Sequence, residues 1–282
     1  MNRRIKKIRP EFWLVLILVF ALSLRLYFFV GLASADPQDD GIYMSNVHGI
    51  LKGSYSLSRY NNLPEDYLAN PAETFSFRIG FLYPCVFFSI LLGVTEFSIT
   101  LWPLLCSLGM IVIGFYLGKM IFNENVGLIS AFLISFFPLN VLYSTRIAVD
   151  IPLAFFSILS FYFFVRAAFY EKNKRDIIYF FLSGISLGLG YLTKSMAIIL
   201  FLFYFAYFLY SSYKNKKLEK SLIYVFLGFL IIFSIEGMYY YLETGNFLLH
   251  KDITTGAYLF KYKIEGASEI NLVNGIKISY TD

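Results

Sequence analysis

The sequence predicts an all-α fold, a polytopic membrane helix bundle of about seven spans with a large first external loop. Three observations carry that reading. The 282 residues are 58% hydrophobic, with a mean hydropathy of +0.63, whereas soluble domains average about half apolar. Apolar runs long enough to cross a hydrocarbon core of ~30 Å recur along the chain. Lys and Arg gather in a few short segments between those runs, as cytoplasmic loops do.

The N-terminal segment 2–10 carries Arg3, Arg4, Lys6, Lys7 and Arg9, which places it in the cytoplasm. The first span covers 12–33. It lacks a small-residue cleavage site and reads as a retained helix. Arg25 lies near its outer end, where its head group is expected to snorkel to the interface. An acidic stretch follows at the outer boundary, with Asp36, Asp39 and Asp40. Then Tyr43, Met44, Val47, Ile50 and Leu51 fall on one helical face. That pattern predicts a short amphipathic helix on the outer interface, ended by Gly53.

Further apolar runs cover 79–94, 99–122, 126–144, 151–168, 177–193, 195–212 and 220–242. The basic loops 166–176 and 213–220 belong in the cytoplasm. An odd number of crossings must then separate residue 40 from residue 170, yet four apolar runs lie between them. The run 79–94 is the shortest, with Gly80 and Pro84 near its start. It reads as a re-entrant or interfacial helix. Residues 1–242 thus form a transmembrane module with an external loop over 34–98. Residues 243–282 form an external tail that stops without domain closure, as in a truncated portion of a longer protein. Loop 34–98, the Arg146–Asp150 loop, the Thr193-Lys194 turn and the tail all share one face.

Several function classes are excluded. The two histidines, His48 and His250, fit no HExxH or Cys/His metal spacing. There is no P-loop, no glycine-rich dinucleotide turn and no nucleic-acid signature. Cys85 and Cys106 both lie in apolar runs and carry no redox information.

The candidate site residues each have a plain reading and a chemical one. Asp39 or Asp40 at a helix start is an N-cap, or a carboxylate poised as general base or cation ligand. Arg146 and Asp150, four apart, suggest a local ion pair worth under about 1 kcal/mol. Asp150-Ile151-Pro152 also reads as an N-cap followed by proline in the first turn. Arg78 and Lys194 sit at the edges of apolar runs, where cations either snorkel or serve a site. Together they suit a phosphate at the membrane surface. Glu236, inside the last span, reads equally as a packed polar contact and as a functional group.

The order of these motifs is informative. An acidic pair after span 1 (Asp39-Asp40, then Tyr43) is followed by Arg-x-x-x-x-Tyr-Pro at Arg78, Tyr83 and Pro84. Next come Tyr-Ser-x-Arg-x-x-x-Asp from Tyr143 to Asp150 and Gly-Leu-x-x-Leu-Thr-Lys from Gly188 to Lys194. This resembles the dolichyl-phosphate-mannose protein mannosyltransferase superfamily, class C membrane glycosyltransferases that include the aminoarabinose transferases. The resemblance implies a polyprenyl-phosphate-linked sugar as donor, an acceptor protein, lipid or glycan, and inversion at the anomeric carbon. By carry-over, Asp39 is the general base and Asp40 supports it. Arg78 and Lys194 bind the donor phosphate, with Tyr43, Tyr83, Arg146 and Asp150 in support. It implies no cofactor. A divalent metal held by Asp36, Asp39 and Asp150 is the less favoured variant. It places the chain in the plasma membrane with the active face outside. The competing expectations are a transporter or flippase of a lipid-linked sugar and a non-catalytic subunit of an envelope-glycan complex.

Overall fold

In the computed structural model the described residues are 9–31, 37–57, 77–170, 176–216 and 221–255. Among them there is helix and no strand. The helices are α1 (Pro10–Gly31), α2 (Pro37–Lys52), α3 (Ile79–Leu92), α4 (Glu96–Ile121), α5 (Glu124–Phe136), α6 (Pro138–Ser144), α7 (Asp150–Val165), α8 (Asp176–Thr193), α9 (Leu200–Asn215) and α10 (Ser221–Thr244). A π-helical turn, Arg166–Tyr170, extends α7, and a 3₁₀ turn, Ser195–Ile199, leads into α9. Residues 249–255 are helical again.

Among the described residues six helices are long and apolar enough to cross a membrane, or up to seven if α5 and α6, bent by 56° at their break, count as one span. The chain is therefore an integral multi-pass membrane protein. The apolar run 79–94 becomes the 14-residue α3, in keeping with a helix that does not cross.

Local chemistry sets the helix limits. Thr95 and Ser98 form a reciprocal capping box at the start of α4. The Asn123 side chain accepts from Val126 N at the start of α5. Pro138 has no N–H to continue the ladder, so α5 ends and α6 begins with proline in its first turn. What the sequence presents as one span over 126–144 is two helices for that reason.

Arg25 departs from expectation. It is fully buried and does not snorkel. Its Nε donates to Ser107 Oγ at 2.9 Å, and Nη1 donates to the carbonyls of Ala21 (3.0 Å) and Ser135 (3.2 Å). Ser107 in turn donates to Asn140 Oδ1, and Asn140 Nδ2 donates to the Ile134 carbonyl. The break at Pro138 frees helix carbonyls at Ile134 and Ser135, and in an apolar bundle these need internal donors. Arg25 and Asn140 supply them.

Helices α8 and α10 run side by side in the same direction. A Cβ on Gly184 would lie 1.9 Å from the Val225 carbonyl oxygen, and one on Gly228 would lie 2.2 Å from that of Phe181. Only glycine permits such close backbones, the small-residue packing of membrane helices. At one end of the bundle Lys119 pairs with Glu11 (3.4 Å) and Glu124 (3.0 Å). The starts of α2, α3 and α7 and the C-terminus of α8 meet at the other.

Candidate functional site

That second end holds a polar cavity of about 160 Å³ lined by Asp40, Tyr43, Arg78, Tyr143, Arg146, Asp150 and Lys194, with Ile147, Ala148 and Val149. Four separate stretches of chain contribute. Asp40 and Tyr43 come from α2, Arg78 from the residue before α3, and Tyr143 from α6. The loop 145–149 and the start of α7 bring Arg146 and Asp150, and Lys194 follows α8 directly.

An apolar platform positions them. Tyr43 and Val47 on α2 are buried against Phe81, Leu82, Cys85 and Val86 of α3, together with Ile147 and Val149 of the loop. The loop is anchored at alternate residues, Ile147 (5% exposed) and Val149 (3%). Arg146 and Asp150 stay at the cavity. Met44 and Ile50 also pack on this platform, whereas Leu51, assigned by periodicity to the same face, is exposed. Gly53, with φ 69°, ends the turn after α2 in the left-handed region that favours glycine. Gly80 lets the start of α3 lie against the end of α8, because a Cβ there would sit 2.9 Å from Leu192 and Thr193 backbone atoms. That approach brings Arg78 to the same cavity as Lys194.

The pairing differs from the one suggested by sequence spacing. Lys194 Nζ donates to Asp150 Oδ1 at 2.8 Å. Arg146 makes no side-chain hydrogen bond or ion pair among the described residues, and its Nε is buried without a partner. The Arg146–Asp150 ion pair is thus not formed. Nor is Asp150 an N-cap: Val149 holds that position without a side-chain cap, and Asp150 is the first residue of α7. Arg78 donates to the Tyr43 hydroxyl and lies 5.7 Å from that ring's centre.

One predicted residue falls elsewhere. Tyr83 does not line the cavity; its hydroxyl donates to that of Tyr239 on α10 at 3.0 Å. Asp39 lies in the first turn of α2 beside Asp40, with its side chain outside the described residues, as is Asp36. Among the described residues no three His, Cys, Asp or Glu side chains gather as metal ligands would. Tyr143 was visible only as one member of a motif; nothing in its spacing marked it as a cavity residue.

Three cations and two carboxylates, Asp40 and Asp150, thus meet over an apolar platform at the end of a membrane bundle. Such a set can hold an anionic head group while its lipid part remains among the helices. The description dolichyl-phosphate-mannose-protein mannosyltransferase matches residues 79–239, more than half of the chain. This chain belongs to that family. Its members are membrane glycosyltransferases of the mannosyltransferase kind, which move a sugar from a lipid-phosphate donor to an acceptor that becomes glycosylated. The matched stretch contains Tyr83, Tyr143, Arg146, Asp150 and Lys194; Arg78, directly before it, and the acidic helix α2 lie outside it. No curated protein gives a significant match, and no solved structure does so.

Proposed function

We propose that this chain transfers a sugar from a polyprenyl-phosphate donor to an acceptor hydroxyl, with inversion, on the extracytoplasmic face of the plasma membrane. The observation that carries the reading is the unpartnered Arg146 guanidinium in a cavity that also holds Arg78, Lys194 and Asp40. A buried guanidinium nitrogen without a partner favours an incoming anion.

In this scheme Asp39, in the first turn of α2, takes the proton of the acceptor hydroxyl, with Asp40 beside it. The hydroxyl oxygen attacks the anomeric carbon from the face opposite the phosphate. The bond from that carbon to the phosphate oxygen breaks, and its electron pair leaves with the lipid phosphate. Arg146 and Arg78 meet the charge that develops there. Lys194 contributes through a position held by Asp150. The scheme needs no cofactor and gives no step to a metal.

The test is sugar transfer by the membrane-inserted chain with polyprenyl-phosphate sugars as donors. Asp39→Asn is expected to lower kcat by about 10²–10⁴-fold, the usual contribution of a positioned base. Arg146→Met is expected to raise the donor KM by about tenfold or more, as loss of a charge-assisted hydrogen bond implies. Normal turnover by Asp39→Asn removes the base. Covalent transfer absent under every donor, with transport of the lipid-linked sugar in liposomes, favours the flippase reading instead.

A further inference from the structure

The residues after α10 return into the bundle. Gly245, with φ 74°, turns the chain. Asn246 Oδ1 accepts from Leu248 N and its Nδ2 donates to Asp252, which secures the turn. His250 is then buried, with Nδ1 2.8 Å from Oε1 of Glu236, itself 2% exposed in the middle of α10. A carboxylate within a span is costly and needs a partner, and the returning histidine is that partner. The Tyr240 hydroxyl lies 3.2 Å from both Glu236 Oε1 and the Phe77 carbonyl oxygen. The Phe77 ring stacks on His250, with centroids 6.0 Å apart.

Phe77 is the residue before Arg78. Leu57, just past α2, joins the same buried cluster with Phe77, Tyr240, Leu249 and Ile253. Both flanks of the segment 58–76, one next to the acidic helix and one next to Arg78, are thus held by the returning segment. On the other side Tyr191, three residues before Lys194, contacts the His250 ring at 5.3 Å.

We propose that His250 and Glu236 are positioning residues: the segment after α10 acts as a clamp that holds Arg78 and α2 at the cavity through Phe77, Tyr240 and Leu57. The consequence for catalysis rests on the glycosyltransferase reading; the clamp itself does not. It acts on placement of Arg78, so its loss affects donor binding more than turnover.

The test uses Arg78→Cys in the full chain and the rate at which an aqueous thiol reagent modifies it. The native Cys85 and Cys106 are buried and give little background. Adding His250→Leu is expected to change that rate by about tenfold, the effect of one charge-assisted hydrogen bond. His250→Asn places an amide nitrogen near the Nδ1 position and restores the parent rate. Gly237→Ala keeps both members of the buried pair but puts a Cβ 2.3 Å from the Phe247 ring, so the turn that carries His250 must shift. It is expected to act like His250→Leu. With Arg78 intact, His250→Leu should raise the donor KM about tenfold and change kcat much less. A modification rate that neither His250→Leu nor Gly237→Ala alters overturns the clamp. The modification does not depend on sugar transfer, so an inactive parent chain would count against the enzyme reading alone.

Discussion

Lys194 Nζ lies 2.8 Å from Asp150 Oδ1, joining the end of α8 to the first residue of α7 across 44 positions of sequence. Both side chains are partly exposed, 31% and 51%. The pair therefore contributes little to stability, at most about 1 kcal/mol. Its consequence is local. It pairs Asp150 with Lys194 and not with Arg146, whose Nε stays buried without a hydrogen-bond partner.

The pair can be separated from its structural role. Asp150→Asn and Lys194→Met are each expected to shift unfolding free energy by less than about 1 kcal/mol. Sugar transfer should fall by about 10²-fold, as for loss of an oriented charge. The exchange Asp150→Lys with Lys194→Asp restores an ion pair but moves the positive charge to α7. Thermal unfolding in detergent should return to the parent value and transfer should not. Recovery of both would make the pair a simple tie between helices.

Arg25 offers a second test, on folding. Arg25→Leu removes donors to Ser107, Ala21 and Ser135. Each buried acceptor left unpaired costs about 1–3 kcal/mol. Asn140→Leu removes only the donor to Ile134 and the acceptor for Ser107, so its effect should be smaller. Unfolding of the purified chain in detergent should rank parent, then Asn140→Leu, then Arg25→Leu. An Arg25→Leu variant that melts with the parent would mean that the break at Pro138 is capped by other means.

The α8–α10 contact predicts a sharp dependence on side-chain size. Gly228→Ala puts a methyl 2.2 Å from the Phe181 carbonyl oxygen and should cost about 1–3 kcal/mol, as overpacking does. Gly41→Ala meets nothing within 4 Å on α2 and should be neutral or stabilising by about 0.5–1 kcal/mol. Comparing the two melting temperatures measures what the close approach of the two backbones requires of residue 228.

Much of the architecture follows from composition alone. An apolar run of span length is a local property, and the distribution of Lys and Arg sets its direction. Counting crossings was enough to set 79–94 apart from the spans, and α3 is indeed too short for one. The same count placed Asp40, Arg78, Arg146, Asp150 and Lys194 at one end, where the cavity gathers them.

Partner choice was not legible. Spacing of four implies neighbours only on a continuous helix, and α7 begins at Asp150, so Arg146 lies before it on an irregular loop. Asp150 is then nearer to Lys194, which α8 delivers from elsewhere. Arg25 looked like a snorkelling cation because two of the acceptors it serves, the Ser107 hydroxyl on α4 and the Ser135 carbonyl at the Pro138 break, reach it only when α1 packs against those helices. His250 looked like a polar residue in a tail because its partner, Glu236, lies across a turn. The sequence by itself determined which segments are apolar enough to enter the membrane and which end gathers the candidate site residues, since hydrophobicity and loop charge act residue by residue. Only the tertiary structure decided which charges meet, because a hydrogen bond depends on distances of about 3 Å that helix packing sets.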